Sequence, residues 1–184
     1  MAAAKLKFDS KDTRPVKLFF EDEGRFGRSN TISSSWTPKG IRAKVVKQIV
    51  RQYTYAYASV CPETGESHSL VLSGSNTEIM NFYLEDMSKV YSHYRIILCA
   101  DNASWHISSG LVIPENIVFL YLPPYSPQLN PVEHLWDYIR EQKGFNNRIM
   151  NSIDEVIDTL ADALHQIENE KNIIKSMCNF SWLY

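Results

Sequence analysis

Hydrophobic positions change their spacing along this 184-residue chain, and each change marks a new kind of element. Residues 16–22, VKLFFED, are a short apolar run ending in acids and read as a buried strand. Residues 52–60, QYTYAYASV, alternate strictly, with Tyr53, Tyr55 and Tyr57 on one face and Thr54, Ala56 and Ala58 on the other. That is strand periodicity. PETGE at 62–66 is turn chemistry, and HSLVLSG at 68–74 returns as a third strand, so the first part predicts an antiparallel meander. From residue 75 the period becomes helical, with Met80, Tyr83, Leu84, Met87 and Tyr91 on one stripe and Ser75 and Glu78 as a capping box. RIILCAD at 95–101 and NIVFLYL at 116–122 are apolar runs too short for helices, which suits strands buried on both faces. NASWHISSG between them is expected to form a short crossover helix, making the two strands parallel. Asn130 is a suitable cap and Pro131 suits a first helical position. Val132, Leu135, Trp136 and Ile139 then form an apolar stripe. Ser152 and Glu155 open a last amphipathic helix predicted over 152–175, carrying Ile153, Val156, Ile157, Leu160, Leu164 and Ile167. The order β-β-β-α-β-α-β-α-α predicts an α/β fold. Its mixed five-stranded sheet would combine a three-strand antiparallel meander with two parallel strands, and helices would cover both faces.

Composition adds little to this until it is read locally. With 44% hydrophobic and 22% charged residues, the chain is expected to form one domain over 1–184 with a sizeable core. Within it, 1–15 reads as a lead segment, 24–51 as a basic insertion and 152–175 as the C-terminal helix. The net charge of −2 does not mark the whole domain as a polyanion binder. Residues 24–51 do stand out: they hold Arg25, Arg28, Lys39, Arg42, Lys44, Lys47 and Arg51 and no acid. A solvated loop is the plain reading, and a phosphate-contacting surface is at least as good a fit. Trp36 in the same stretch is a candidate for touching DNA or a partner subunit, whereas Trp105 and Trp136 are expected in the core. Cys61, Cys99 and Cys178 are scattered without metal-type spacing, which reads as free thiols in a reducing compartment. There is no apolar run of membrane-spanning length and no signal-peptide pattern, so a cytoplasmic location is expected. The final CNFSWLY is apolar enough to dock on this domain or on a partner.

Three carboxylates then acquire meaning from their positions. Asp22 and Asp101 each close a predicted strand, and ligands of open α/β sheets gather at carboxyl ends of strands. Glu133 enters in the first turn of the helix that follows LPPYSPQLNP, a loop stiffened by four prolines. Each acid alone is ordinary turn or cap chemistry. Together, on three elements meeting at one edge, they form a set of hard oxygen ligands suited to Mg2+ or Mn2+, with two ions expected. Such ions activate a water or 3′-hydroxyl and stabilise a leaving oxygen, which is phosphodiester chemistry. Asn102 and His106 are accessory candidates. For Asn102 a helix cap is the better reading, while His106 is equally a partly buried polar residue.

The blocks FFEDEGRFG, LCADNASWH and LPPYSPQLNPVEHLW resemble the signature blocks of the DDE transposases of bacterial insertion sequences, in the mariner-like superfamily. The resemblance runs from about residue 18 to about residue 142. It implies a ribonuclease-H-like fold, with Asp22, Asp101 and Glu133 as the catalytic, metal-binding acids. It also implies metal-dependent cleavage of DNA at transposon ends and attack of the freed 3′-hydroxyl on target DNA. A homodimer on DNA is implied, as is a helix-turn-helix recognition portion, which is expected to be absent here, so that this chain would be a separately encoded or frameshifted catalytic half, or a fragment. The alternatives are a stand-alone ribonuclease-H-like nuclease and an inactive, regulatory DNA-binding remnant.

Overall fold

The computed structural model describes residues 8–29, 36–42 and 44–180. Five strands, β1 (Val16–Gly27), β2 (Tyr53–Cys61), β3 (Glu66–Leu72), β4 (Arg95–Ala100) and β5 (Ile117–Tyr121), form one sheet in the order β3-β2-β1-β4-β5. β1 pairs antiparallel with β2, and β2 with β3; β1 pairs parallel with β4, and β4 with β5. The helices are α1 (Thr77–Val90), α2 (Val132–Gln142), α3 (Ile153–Asn169) and α4 (Lys171–Cys178). This is the mixed sheet with flanking helices of a ribonuclease-H-like α/β fold.

Period-2 alternation sorts the sheet into two cores. Phe20, Phe26, Ala56, Ala58, Val60 and Cys99 face α2, α3 and α4, where Val132, Leu135, Trp136, Ile139, Val156, Leu160, Leu164, Ile167 and Ile174 meet them. Phe19, Tyr57, Cys61, Ile96, Leu98 and Ala100 face α1 through Met80, Tyr83, Leu84 and Met87. The central strands are apolar on both faces because both faces are covered.

Four local features differ from the sequence expectation. Asp22 does not end its strand. β1 follows β4 only as far as Phe20 opposite Cys99, and from Phe20 to Gly27 it continues along β2. The edge of β1 facing β4 therefore opens just where Asp22 sits. Residues 102–110 form turns rather than a helix. The Asp101 side chain accepts the Ala103 N–H at 2.8 Å, a local bond that competes with helix formation. α1 is capped by Asn76, whose Oδ1 accepts the Ile79 N–H, and not by Ser75. The C-terminal helix breaks at Glu170 into α3 and α4, which brings Ile174 and Cys178 into the same core as α2. Of the apolar tail, residues 181–184 lie outside the described residues, while the Phe180 ring meets His134 edge-on at 5.2 Å.

The β2–β3 turn depends on one glycine. Gly65 has φ +73°, and a Cβ there would lie 2.0 Å from the Lys171 carbonyl oxygen at the start of α4. Backbone strain and overpacking act together, so Gly65→Ala is expected to cost about 2–3 kcal/mol and lower the melting midpoint by roughly 5–10 °C. A thermal melt followed by circular dichroism checks this.

Candidate active site

The opening between β1 and β4 becomes a cleft of about 390 Å³. Asp22, Asp101 and Glu133 line it, together with Asn102, Asn130 and the proline loop from Leu122 to Pro127. Three acids remote in sequence thus share one cavity. Each arrives by a local cause. Asp22 lies on the same face of β1 as Phe20 and Phe26, the face that packs on α2. Asp101 is the first residue past β4. Glu133 stands in the first turn of α2.

The proline loop is tied at both ends. Asn102 Nδ2 donates to the Leu122 carbonyl at 2.7 Å, and the Leu122 N–H donates to the Ala100 carbonyl at 2.9 Å. Asn130 Oδ1 accepts the Val132 N–H at 3.2 Å, and its Nδ2 donates to the Glu21 carbonyl at 2.9 Å. Asn130 therefore caps α2 and fastens it to β1 one residue before Asp22. Inside the loop Tyr125 has φ +57° and a fully exposed side chain.

Trp136 holds Asp22 directly. Its Nε1–H donates to Asp22 Oδ2 at 2.7 Å from a core position that is 1% exposed. Gly24, two residues on along the same face of β1, leaves room for the indole: a Cβ there would lie 2.8 Å from Trp136 Cδ2. Burial pushes the Asp22 pKa up to about 7. The Trp136 bond opposes the rise, and the charges of Glu133, Glu23 and Asp101 add to it. A carboxylate crowded by like charges in a cleft is one whose ionised form a cation stabilises. The donor set, all hard oxygen, fits Mg2+ or Mn2+.

Behind the cleft, on the α1 side of β1, lies a second group. Glu21 is fully buried, and neither of its carboxylate oxygens has a hydrogen-bond partner among the described residues. Burial, then the charge of Glu23, raises its pKa well above the usual carboxylate range. His106, 1% exposed, faces Glu23 Oε1 at 3.1 Å and Glu21 Oε2 at 3.4 Å with Nε2. Its Nδ1 is 2.9 Å from Asp101 Oδ1. Trp105 Nε1–H donates to the same Glu23 oxygen at 2.6 Å. Burial acts against a charged ring at His106, but the hydrogen bonds to Asp101 and Glu23 outweigh it and lift its pKa to about 11. The His106 bond holds Asp101 below the usual carboxylate range. Glu21, Glu23 and His106 also bring ligand atoms within 4.8 Å of one another, so this trio can hold a divalent cation.

The basic candidates separate into two kinds. Arg28 is structural in its contacts: Nε donates to the Met150 carbonyl at 3.0 Å and Nη1 to Gln52 Oε1 at 2.8 Å. The Arg25 guanidinium lies over the Tyr53 ring at 4.7 Å. Trp36, Lys39, Arg42 and Lys44 are exposed on a stretch without regular secondary structure. The sequence reading assigns no role to Glu21 and Glu23, and places Trp136 only in the core. Strand alternation was the available signal, since it puts residues 21 and 23 on one face and 22 on the other. The indole bond to Asp22 has no sequence signal.

The sequence pattern of the DDE superfamily endonucleases matches residues 17–157, and the chain belongs to that family. It is 32% identical over 133 residues to the uncharacterized protein y4pE/y4sA of Sinorhizobium fredii, an alignment covering 72% of this chain and 98% of that one. It is 26% identical over 132 residues to an uncharacterized 39 kDa protein of the insertion element IS630 in Shigella sonnei, covering 67% of this chain and 38% of the relative. Its fold resembles the Mos1 pre-cleavage transpososome, with a TM-score of 0.63 and 15% identity, and the Mos1 mariner paired-end complex with Mn, with a TM-score of 0.61 and 17% identity. Each match covers 89% of this chain and 56% of the Mos1 chain, so this chain spans about half the length of those proteins. Among the described residues no helix is long and apolar enough to cross a membrane.

Proposed function

We propose that this chain is the catalytic domain of a transposase that cuts DNA at transposon ends and joins the freed 3′-hydroxyl to target DNA. The observation that carries the reading is the meeting of Asp22, Asp101 and Glu133 in one cleft of a DDE superfamily endonuclease. These three residues would hold Mg2+ or Mn2+, which supplies activation of the attacking hydroxyl and stabilisation of the leaving oxygen. The chain's own part is placement. Trp136 fixes one oxygen of Asp22, Asn130 joins the start of α2 to β1, and Asn102 with the prolines holds the loop that precedes Glu133. The fold shared with Mos1 assemblies and the insertion-element origin of the Shigella relative support DNA ends and target DNA as substrates. The paired-end Mos1 complexes also support a second copy of the chain on the DNA, and end recognition would fall to a helix-turn-helix portion.

The test is incubation of duplex oligonucleotides carrying the ends that flank the gene with the protein and Mn2+. Nicked strands and joined donor–target products are expected. Nicks without any joined product would favour a stand-alone nuclease. Salt-sensitive binding without turnover would favour the inactive remnant.

The exposed basic stretch makes a separate prediction. Removing Lys39, Arg42 and Lys44 together is expected to weaken DNA binding uniformly across sequences. The slope of log K against log salt should fall by about 2–3 in magnitude if each contacts a phosphate. Fluorescence anisotropy over a salt series measures it.

A further inference from the structure

We infer that His106 is a positioning residue for metal binding, a strut that spans from Glu23 on β1 to Asp101 beyond β4 and sets the direction of the Asp101 carboxylate. The inference rests on the proposed role of Asp101 as a metal ligand. Both ring nitrogens are engaged by carboxylate oxygens of different elements, Nδ1 with Asp101 at 2.9 Å and Nε2 with Glu23 at 3.1 Å. The far end of the strut is itself held: Trp105 donates to the same Glu23 oxygen, and Tyr121 Oη donates to the His106 carbonyl at 2.7 Å. The near end is different. Asp101 is half-exposed and has left the sheet, so beyond the Ala103 amide the imidazole is what fixes its side chain. One Asp101 oxygen is spent on His106 and Ala103, and the other is left for the cleft.

The same Nε2 also faces the buried Glu21, whose Oε2 lies 3.4 Å away. A neutral amide in place of the imidazole cannot bridge to both Asp101 and Glu23, because it lacks two nitrogens on opposite sides of a rigid ring. A ligand carboxylate is oriented by such outer partners, and their loss typically weakens metal affinity about 10–100-fold.

The two amides divide the strut. His106→Asn places an amide near the Nδ1 position and keeps the Asp101 bond; His106→Gln places one near the Nε2 position and keeps only the Glu23 side. The measurement is Mn2+ binding to the intact chain, with free Mn2+ counted by electron paramagnetic resonance, beside melting curves for each variant. His106→Gln is expected to bind Mn2+ at least about tenfold more weakly than wild type, and His106→Asn to stay within about threefold of wild type. Cleavage by His106→Gln should show a lower kcat with KM for DNA unchanged. Three results would overturn the strut: equal Mn2+ affinity in wild type and His106→Gln, equal weakening in both amide variants, or loss of one whole Mn2+ equivalent per chain. The last would mark His106 as a ligand. A wild type that binds no Mn2+ sinks both this inference and the proposed function. Separated affinities without any DNA cleavage sink the function alone and leave the strut standing.

Discussion

Asp22→Asn is expected to leave the fold intact while reducing metal-dependent DNA cleavage by at least about a thousandfold. The substitution keeps an oxygen that can accept the Trp136 N–H, now 2.7 Å from Asp22 Oδ2, and it changes no volume in the core. What it removes is the charge that a divalent cation binds, and transition-state stabilisation through such a cation is worth several kcal/mol. The same variant separates activity from stability. Asp22 has a pKa near 7 in the fold against 3.8 for the free side chain, so the folded state binds its proton more tightly than the unfolded state does. Its contribution is fully present below about pH 4 and is lost as pH rises through about 7. At roughly 1.4 kcal/mol per pH unit, the metal-free protein is expected to lose up to about 4 kcal/mol between pH 4 and pH 8 from this group. Asp22→Asn should remove that slope and be the more stable protein at pH 8. Urea denaturation at a series of pH values in EDTA measures both.

Trp136 is expected to give the largest loss of stability of any single truncation near the cleft. The side chain is 1% exposed, packs edge-on against Phe26 at 5.9 Å, and belongs to the core shared by β1, α2, α3 and α4. Trp136→Ala removes this contact and should cost about 3–5 kcal/mol. Trp136→Phe is the informative partner. It keeps an aromatic ring in the space over Gly24 but takes the hydrogen-bond donor from Asp22, so the Asp22 pKa should rise further. A fold weakened by about 1–2 kcal/mol is expected, with cleavage falling far more than stability accounts for. Cleavage tracking stability in both variants would mean that the indole only fills space.

Much of this was legible in the sequence because the signals were strong and local. Alternation at 52–60 and the helical stripes of α1, α2 and α3 depend on which side faces a core, and both faces of this sheet are covered. The proline loop announced a fixed connection into α2. Less was legible where a side chain competes with the backbone. The Asp101 bond to Ala103 dissolved the expected crossover helix, and the reach of β1 to Gly27 depended on β2 continuing beyond the end of β4. The break at Glu170 follows from packing Ile174 and Cys178 beneath α2, a tertiary demand that helical periodicity does not report. Around the cleft, the sequence pointed to the acids that meet but not to what holds them. The Trp136, Asn130 and His106 contacts join residues between 5 and 114 positions apart, and pairings of that kind are fixed only when the sheet assembles.

Anomalous scattering from a crystal soaked in Mn2+ tests the central claim most directly. Density is expected inside the cleft, within bonding distance of carboxylate oxygens from Asp22, Asp101 and Glu133. Manganese bound only between Glu21, Glu23 and His106, or at none of these residues, would contradict it.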